Sequence, residues 1–269
     1  MKILSLYCGA GGMDEGIKQT GLKTTLAIDI WDKATDSFKI NHPDTEVLTG
    51  KVSDYYTSFG EFDMVIGGPP CPEFSRAKIN RSFNSCQVDL FWDIVKQVKA
   101  KFWIMENVQD VIEVVKDKKN YLINACYYGV PQNRLRRIFT NIPFPKYTHS
   151  EYPSLDLFGN QIKPLVSVKD VLGLDGFIED RSTTFGETEF RLYPTTGLSN
   201  TIIARCRQFI KNDKENRELT PDELKLLQGF PKDYVFTGSK TNQFKQIGNA
   251  VPPPVIKAFG DMLKVTLYE

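Results

Sequence analysis

The sequence predicts an α/β fold: a mostly parallel sheet with functional groups along one edge, followed by a second, smaller domain. Three observations carry that expectation. Through residues 1–143, short apolar runs alternate with stretches of helical periodicity. Two of those runs end in glycine turns, Cys8-Gly9-Ala10-Gly11-Gly12 and Gly67-Gly68-Pro69-Pro70. From about Phe144 to Asn216, prolines, glycines and short β-like pieces replace the alternation.

The totals narrow the class further. A chain of 269 residues suits one large domain, or one with a small appendage. With 41% hydrophobic and 25% charged residues, it reads as a soluble globular protein. No apolar run approaches the ~20 residues that span a bilayer, and the apolar part of the N-terminus is too short for a signal peptide. The five cysteines are scattered, odd in number and without CxxC spacing. That pattern suits reduced thiols in a cytoplasm and argues against a disulfide framework or a zinc site. His42 and His149 are the only histidines, which argues against histidine-based catalysis or a histidine-rich metal site. A net charge of +1 means that any basic surface must be local.

Taken in order, Ile3–Tyr7 is a short apolar strand, and the glycine turn after it leads into a helix through about Thr20. Strand, glycine turn and helix form the first unit of a nucleotide-binding sheet: glycines admit a ligand close to the backbone, and the helix N-terminus favours its negative groups. A second strand, Thr24–Ile30, carries Asp29 about twenty residues after the glycines, where an acid can accept from a ribose. An ordinary βα turn is the plainer reading of this loose match. Lys33–Asn41 reads as the second helix, residues 62–67 as the strand leading to Cys71, and residues 88–99 as a helix burying Leu90, Phe91, Ile94 and Val98. The strand Phe102–Met105 then delivers Glu106-Asn107-Val108 at its tip.

Cys71 sits behind two prolines that fix φ and remove backbone donors, with Pro72 after it. A thiol on a stiff turn beyond a strand's C-terminal end stands where α/β sheets place ligands. The alternative is a small buried hydrophobe, the usual fate of a free cysteine. Farther on, Gln132, Arg134, Arg136 and Arg137 cluster beside a strand-like Ile138-Phe139. Such a cluster forms either a solvated face or a forked grip on phosphate or a base edge. Thr220-Pro221-Asp222-Glu223 reads as a helix start with a capping box. Residues 245–254, KQIGNAVPPP, read as a rigid turn before a last helix that returns Val255, Ile256, Phe259, Met262 and Leu263 to the first sheet.

The blocks LSLYCGAGG, GGPPCPEFS, ENV, GVPQNRLR, RELTPDELKLLQGFP and QIGNAVPPP occur in the order and approximate spacing of one family. The chain resembles the S-adenosylmethionine-dependent DNA cytosine-5 methyltransferases over nearly its whole length. Residues 144–200, the variable target-recognition region of that family, are unmatched. The resemblance implies a Rossmann-like methyltransferase sheet in residues 1–143, completed by 245–269, and a small target-recognition domain in 144–244.

It also implies a chemistry. Carbon 5 of cytosine is a poor nucleophile until a thiolate adds to carbon 6, which makes the ring an enamine. Cys71 matches the nucleophile, and Glu106 the residue that hydrogen-bonds or protonates ring nitrogen 3. Arg136 and Arg134 match cations near the base. Asn107 and Gln132 match supporting residues, with turn-forming side chains as their plainer reading. For S-adenosyl-L-methionine, which leaves as S-adenosyl-L-homocysteine, the resemblance points to Tyr7, Gly9, Gly11, Gly12, Asp29, Ile30, Val52, Pro69, Asn249 and Ala250. Core packing is the plainer role of Tyr7, Ile30 and Val52. Toward double-stranded DNA it points to Ser75, Arg76, Arg81, Gln132, Thr201 and Arg205, the last also readable as a solvated charge. Residues 76–87 read as a loop closing over an extruded cytosine. The implied setting is a cytoplasmic, DNA-associated monomer with no membrane contact, alongside a cognate restriction endonuclease.

Three departures stand out: Pro72 where the family has glutamine, Lys51 where it has an aspartate on adenine (Asp54 lies nearby), and a short stretch from Val108 to Gly129. Rival readings are a tRNA cytosine-5 methyltransferase, a silent nucleic-acid-binding paralogue and a nicotinamide oxidoreductase. The recognition region lacks the Cys-Phe-Thr motif of the tRNA branch, and the silent paralogue would not need Cys71, Glu106 and Arg136 together. The oxidoreductase reading leaves the PPC and ENV blocks without a purpose.

Overall fold

A computed structural model describes residues 1–70, 86–113, 115, 117–155, 161–184, 187–204 and 208–268. The first half builds β1 (Ile3–Leu6), α1 (Gly12–Lys18), β2 (Leu26–Asp29), α2 (Asp32–Asn41), β3 (Glu46–Thr49), α3 (Val52–Tyr55), β4 (Met64–Gly67), α4 (Cys86–Gln97), β5 (Phe102–Asn107), β6 (Asn120–Asn124) and β7 (Leu135–Thr140). These strands form one sheet in the order β3-β2-β1-β4-β5-β7-β6. All run parallel except β7, which is antiparallel to both neighbours.

The central strands β1 and β4 are fully buried and mainly apolar, with Ser5 the polar exception, because both faces are covered. Successive side chains alternate between two cores. Ile3, Met64 and Ile66 face α1 and the C-terminal helix, while Leu4, Leu6 and Val65 face α4 through Phe91, Ile94 and Val98. From β1 the chain winds outward to β2 and β3, then crosses to β4 and β5. The crevice at the C-terminal ends of β1 and β4 is therefore the switch point where such sheets bind ligands. Gly67 permits this pairing, since a Cβ there would lie 2.4 Å from the Leu6 carbonyl oxygen. Between β5 and β6 only a 3-10 turn, Gln109–Glu113, is formed among the described residues, in line with the short connection in the sequence.

The second part begins with β8 (His149–Ser150), β9 (Ser154–Leu155), β10 (Gln161–Pro164) and α5 (Val168–Leu172). It continues with β11 (Phe177–Thr184), β12 (Glu187–Pro194), β13 (Gln208–Lys211) and β14 (Asn216–Glu218), an antiparallel sheet in the order β12-β11-β13-β14. Next come α6 (Pro221–Leu227), α7 (Lys240–Asn249) and α8 (Pro253–Tyr268). A separate core joins Val168, Ile178, Ile202 and Ile210 to Leu224 and Leu227 of α6 and to Phe244 and Ile247 of α7. The capping box at α6 forms as the sequence predicts: Glu223 N donates to Thr220 Oγ1 at 3.2 Å, and Thr220 N donates to Glu223 Oε2 at 2.7 Å. No described helix is long and apolar enough to cross a membrane.

One expectation needs correction. Residues 245–254 are not a single rigid turn, because α7 continues through Asn249 and α8 begins at Pro253. Ser239 caps α7 by accepting from Asn242 N, and Phe244 and Ile247, three residues apart, bury one helical face. Only Ala250–Pro252 turn, and Pro253 stands at a helix's first position, where its missing N–H costs nothing.

The β1–α1–β2 unit is pinned by a buried carboxylate. Asp14 Oδ2 accepts from Ser5 Oγ at 3.0 Å, and Oδ1 accepts from Thr24 Oγ1 at 2.7 Å. Burial outweighs these bonds and raises the Asp14 pKa from 3.8 to about 6. Because the folded value exceeds the unfolded one, this group favours the fold most below pH 3.8 and loses that advantage as pH rises through about 6. The neutral amide of Asp14→Asn escapes this penalty. Measured by urea denaturation, the stability of Asp14→Asn relative to wild type is expected to rise by about 2–3 kcal/mol between pH 4 and pH 8. A flat difference would show that Asp14 ionises freely in the fold.

Candidate active site

A cleft of about 760 Å³ opens at the switch point between β1 and β4. That size is within the range of small-molecule sites. Its first wall is the turn after β1. Tyr7 and Gly9 both adopt positive φ, 55° and 54°, which lets the backbone fold back toward β2. Asp29, at the end of β2, stabilises that fold: its Oδ2 accepts from Gly9 N and its Oδ1 from Trp31 N, each at 2.8 Å. Burial raises the Asp29 pKa, opposed by these backbone bonds. A Cβ built on Gly9 meets nothing within 4 Å, so the turn leaves open space beside the carboxylate.

Ile30, exposed at 64%, also lines the cleft, as do Gly12, Val52, Asn249 and Ala250. Gly11 does not. Its φ is 91°, and a Cβ there would strike Tyr234 Oη at 2.7 Å and His42 Nε2 at 2.9 Å, so it serves packing behind the turn. At the end of β3, Lys51 lines the cleft and Asp54 is not among the lining residues, which supports Lys51 as the residue at the departing position.

The opposite wall comes from β4, β5 and β7. Glu106 and Asn107 end β5, and β7 pairs with it so that Glu106 faces Ile138. Arg136, two residues along, lies diagonal to Glu106 on the same sheet face. Its Nε stands 3.0 Å from Glu106 Oε1, in a pair only 21% and 11% exposed. Asn107 Nδ2 donates to the Pro69 carbonyl at 3.0 Å and thereby fixes the prolines that lead out of β4. Pro69 and Pro70 both line the cleft. Gly68 passes beside the acid: a Cβ there would make an ordinary contact, 3.5 Å from Glu106 Oε2. Cys71, Ser75, Arg76, Arg81 and Arg205, and most of the expected closing loop 76–87, lie outside the described residues.

The arginine cluster separates by strand alternation. Arg137 points the other way, donating to Asn120 Oδ1 and to the Gln109 carbonyl. Arg134 is 2% exposed and donates to the carbonyls of Ile202, Gly248 and Ala250 at 2.8, 3.2 and 3.1 Å. Burial first, then the Arg136 charge, pulls its pKa down to about 9, leaving it protonated at neutral pH. Gln132, expected at the substrate, is instead fully buried outside the cleft. It accepts from Ile202 N and donates to Gln228 Oε1, and Gln228 in turn donates to the Ala250 carbonyl. Thr201, expected toward DNA, donates its hydroxyl to the Asn133 carbonyl at 2.7 Å and is not among the cleft-lining residues. Arg134, Gln132 and Gln228 thus fasten Ala250, a cleft residue, to the strap at residue 202.

Arg134→Met leaves the buried carbonyls of Ile202 and Gly248 without the guanidinium and the Ala250 carbonyl with Gln228 alone. It is expected to cost about 3 kcal/mol or more, a fall in Tm of about 6–12 °C, measured by calorimetry. An unchanged Tm would mean that water replaces the guanidinium.

Comparison with known proteins agrees with this architecture. The model of the C-5 cytosine-specific DNA methylase family matches residues 1–172 and 159–264. Type II methyltransferase M1.HphI of Haemophilus parahaemolyticus is 31% identical, with 99% of this chain and 87% of that protein covered. Type II methyltransferase M.HindV of Haemophilus influenzae is 30% identical over 96% of this chain and 94% of its own. A solved structure, assigned as a DNA modification methyltransferase encoded within a prophage (E. coli), matches with a TM-score of 0.73 over 100% of both chains at 20% identity. The fold is that of the S-adenosylmethionine-dependent methyltransferases. Within that class the chain belongs to the C-5 cytosine-specific DNA methylase family. It methylates carbon 5 of cytosine in DNA, a family activity that employs S-adenosylmethionine.

Proposed function

We propose that the cleft holds S-adenosylmethionine and that methylation proceeds through a covalent bond between Cys71 and carbon 6 of a cytosine turned out of duplex DNA. The observation that carries this reading is the Glu106–Arg136 pair, 3.0 Å apart, on the wall shared with Pro69 and Pro70, the two residues that lead directly to Cys71. The donor fits the opposite wall. The Asp29 carboxylate keeps lone pairs for ribose hydroxyls, and the open space at Gly9 admits a ligand against the backbone. When bound, the donor supplies an electrophilic methyl group on a sulfonium.

The chain's own groups perform the rest. Cys71 adds as a thiolate, and an ordinary thiol near pKa 8.5 is only a few per cent ionised at neutral pH, so Arg136 favours the reactive form. Glu106, oriented by Arg136, holds or delivers a proton at ring nitrogen 3 as negative charge develops there; once carbon 5 has taken the methyl group, loss of its proton and elimination of the Cys71 thiolate from carbon 6 restore the ring. Asn107 keeps the proline turn in register with that carboxylate. The part spanning residues 144–244 presents the recognition surface, and extrusion of the base costs a few kcal/mol of unstacking. The enzyme acts as a cytoplasmic monomer beside a restriction endonuclease of matching specificity.

Incubation with methyl-tritiated donor and mixed-sequence duplex DNA tests the transfer, and duplex carrying 5-fluorocytosine tests the bond. Label in DNA and a denaturation-resistant protein–DNA adduct at Cys71 are expected. Transfer without an adduct would remove the covalent step, and preferential labelling of tRNA would replace the substrate.

A further inference from the structure

Two residues at the mouth of the cleft have no role in the chemistry above: Trp31 and Lys245. Trp31 precedes α2 as its N-cap, and its amide is held by Asp29. Lys245 lies exposed on α7. Both line the cleft, and the Lys245 ammonium stands 4.5 Å from the centroid of the Trp31 indole. Lys51, another cleft cation, makes no such contact among the described residues.

The supports on either side are rigid. Ser37, fully buried on α2, donates to Gln246 Oε1 at 2.6 Å, and Gln246 Nε2 donates to the Thr237 carbonyl at 2.9 Å. Phe244 and Ile247 anchor the same turns of α7 in the core of the second part. Lys245 is therefore presented from a helix locked to α2, next to the locking residue itself. Trp31 stands at the start of the helix that Gln246 grips. A surface meeting of two long side chains would lack these buried fastenings.

An ammonium over an indole face is drawn by the ring quadrupole, and more strongly as water is excluded. A sugar accepted by Asp29 lies next to the Trp31 side of the cleft, since one carboxylate serves both. We propose that Trp31 and Lys245 form a bridge across the cleft mouth that retains the nucleoside part of the donor and of its demethylated product. The pair then sets how slowly S-adenosylhomocysteine leaves. This inference rests on the reading of the cleft as the donor site.

The test is S-adenosylhomocysteine binding to the full chain, with affinity by calorimetry and dissociation by stopped-flow displacement. Lys245→Met keeps the length and apolar stem and removes the charge, while Lys245→Arg keeps a cation. Lys245→Met is expected to raise both Kd and the dissociation rate about three- to fivefold. Lys245→Arg should retain the wild-type rate. Trp31→Leu should match Lys245→Met, and the double variant should lose no more than the weaker single variant, since one contact is removed in each case. Unchanged dissociation in Lys245→Met, or losses that multiply in the double variant, would overturn the bridge. A wild-type chain that fails to bind S-adenosylhomocysteine would remove the donor reading itself, and the bridge with it. A wild type that binds, matched by Lys245→Met, removes the bridge alone.

Discussion

Cys71→Ala is expected to bring methyl transfer below detection while leaving S-adenosylhomocysteine affinity within about twofold. Without the sulfur, no group in the proposed site adds to carbon 6, and the ring never gains the electron density that carbon 5 needs. Nucleophilic catalysis replaces one hard step by two easier ones, so its removal restores the hard one. Affinity should survive because the partners proposed for the donor, Gly9 and Asp29, lie on the other wall. The measurement is tritium incorporation beside calorimetric titration. Joint loss of binding and turnover would mean that the thiol supports the fold rather than attacks the base.

Glu106→Gln is expected to lower kcat about a hundred- to a thousandfold, the usual range for a positioned acid or base. The amide can still donate one hydrogen bond to a ring nitrogen, yet it cannot hold a mobile proton. It also deprives the Arg136 guanidinium of its counter-charge in a pair that is mostly buried. Donor affinity should change by less than about threefold, because the acid belongs to the base side of the cleft. A loss below tenfold in single-turnover assays would reduce Glu106 to an anchor for Arg136.

Much of this architecture is legible in the sequence because it depends on local periodicity. Short, mainly apolar runs leading into glycine turns mark β1 and β4, and the capping box marks the start of α6. The partnership of Glu106 and Arg136 follows from strand alternation once β5 and β7 are paired. Other features depend on contacts that sequence neighbours do not foreshadow. Gln132 reads as a polar turn residue, but its partner Gln228 lies 96 positions away, and that contact turns a candidate substrate ligand into a buried strut. Gly11 sits in the same turn as Gly9 and Gly12, and only the positions of Tyr234 and His42 reveal which way it faces. The prolines of the last motif suggest a turn from Lys245 onward. The three-residue spacing of Phe244 and Ile247 is the signal that α7 continues through it. Trp31 and Lys245 carry no local sign of meeting.

The cleft is lined by stretches far apart in the chain, with Gly9 and Asp29 on one side of the sequence and Asn249, Ala250 and Val251 on the other. During translation the glycine turn leaves the ribosome long before its closing segment does. A chain cut short between Asp29 and Asn249 therefore lacks one side of the cleft.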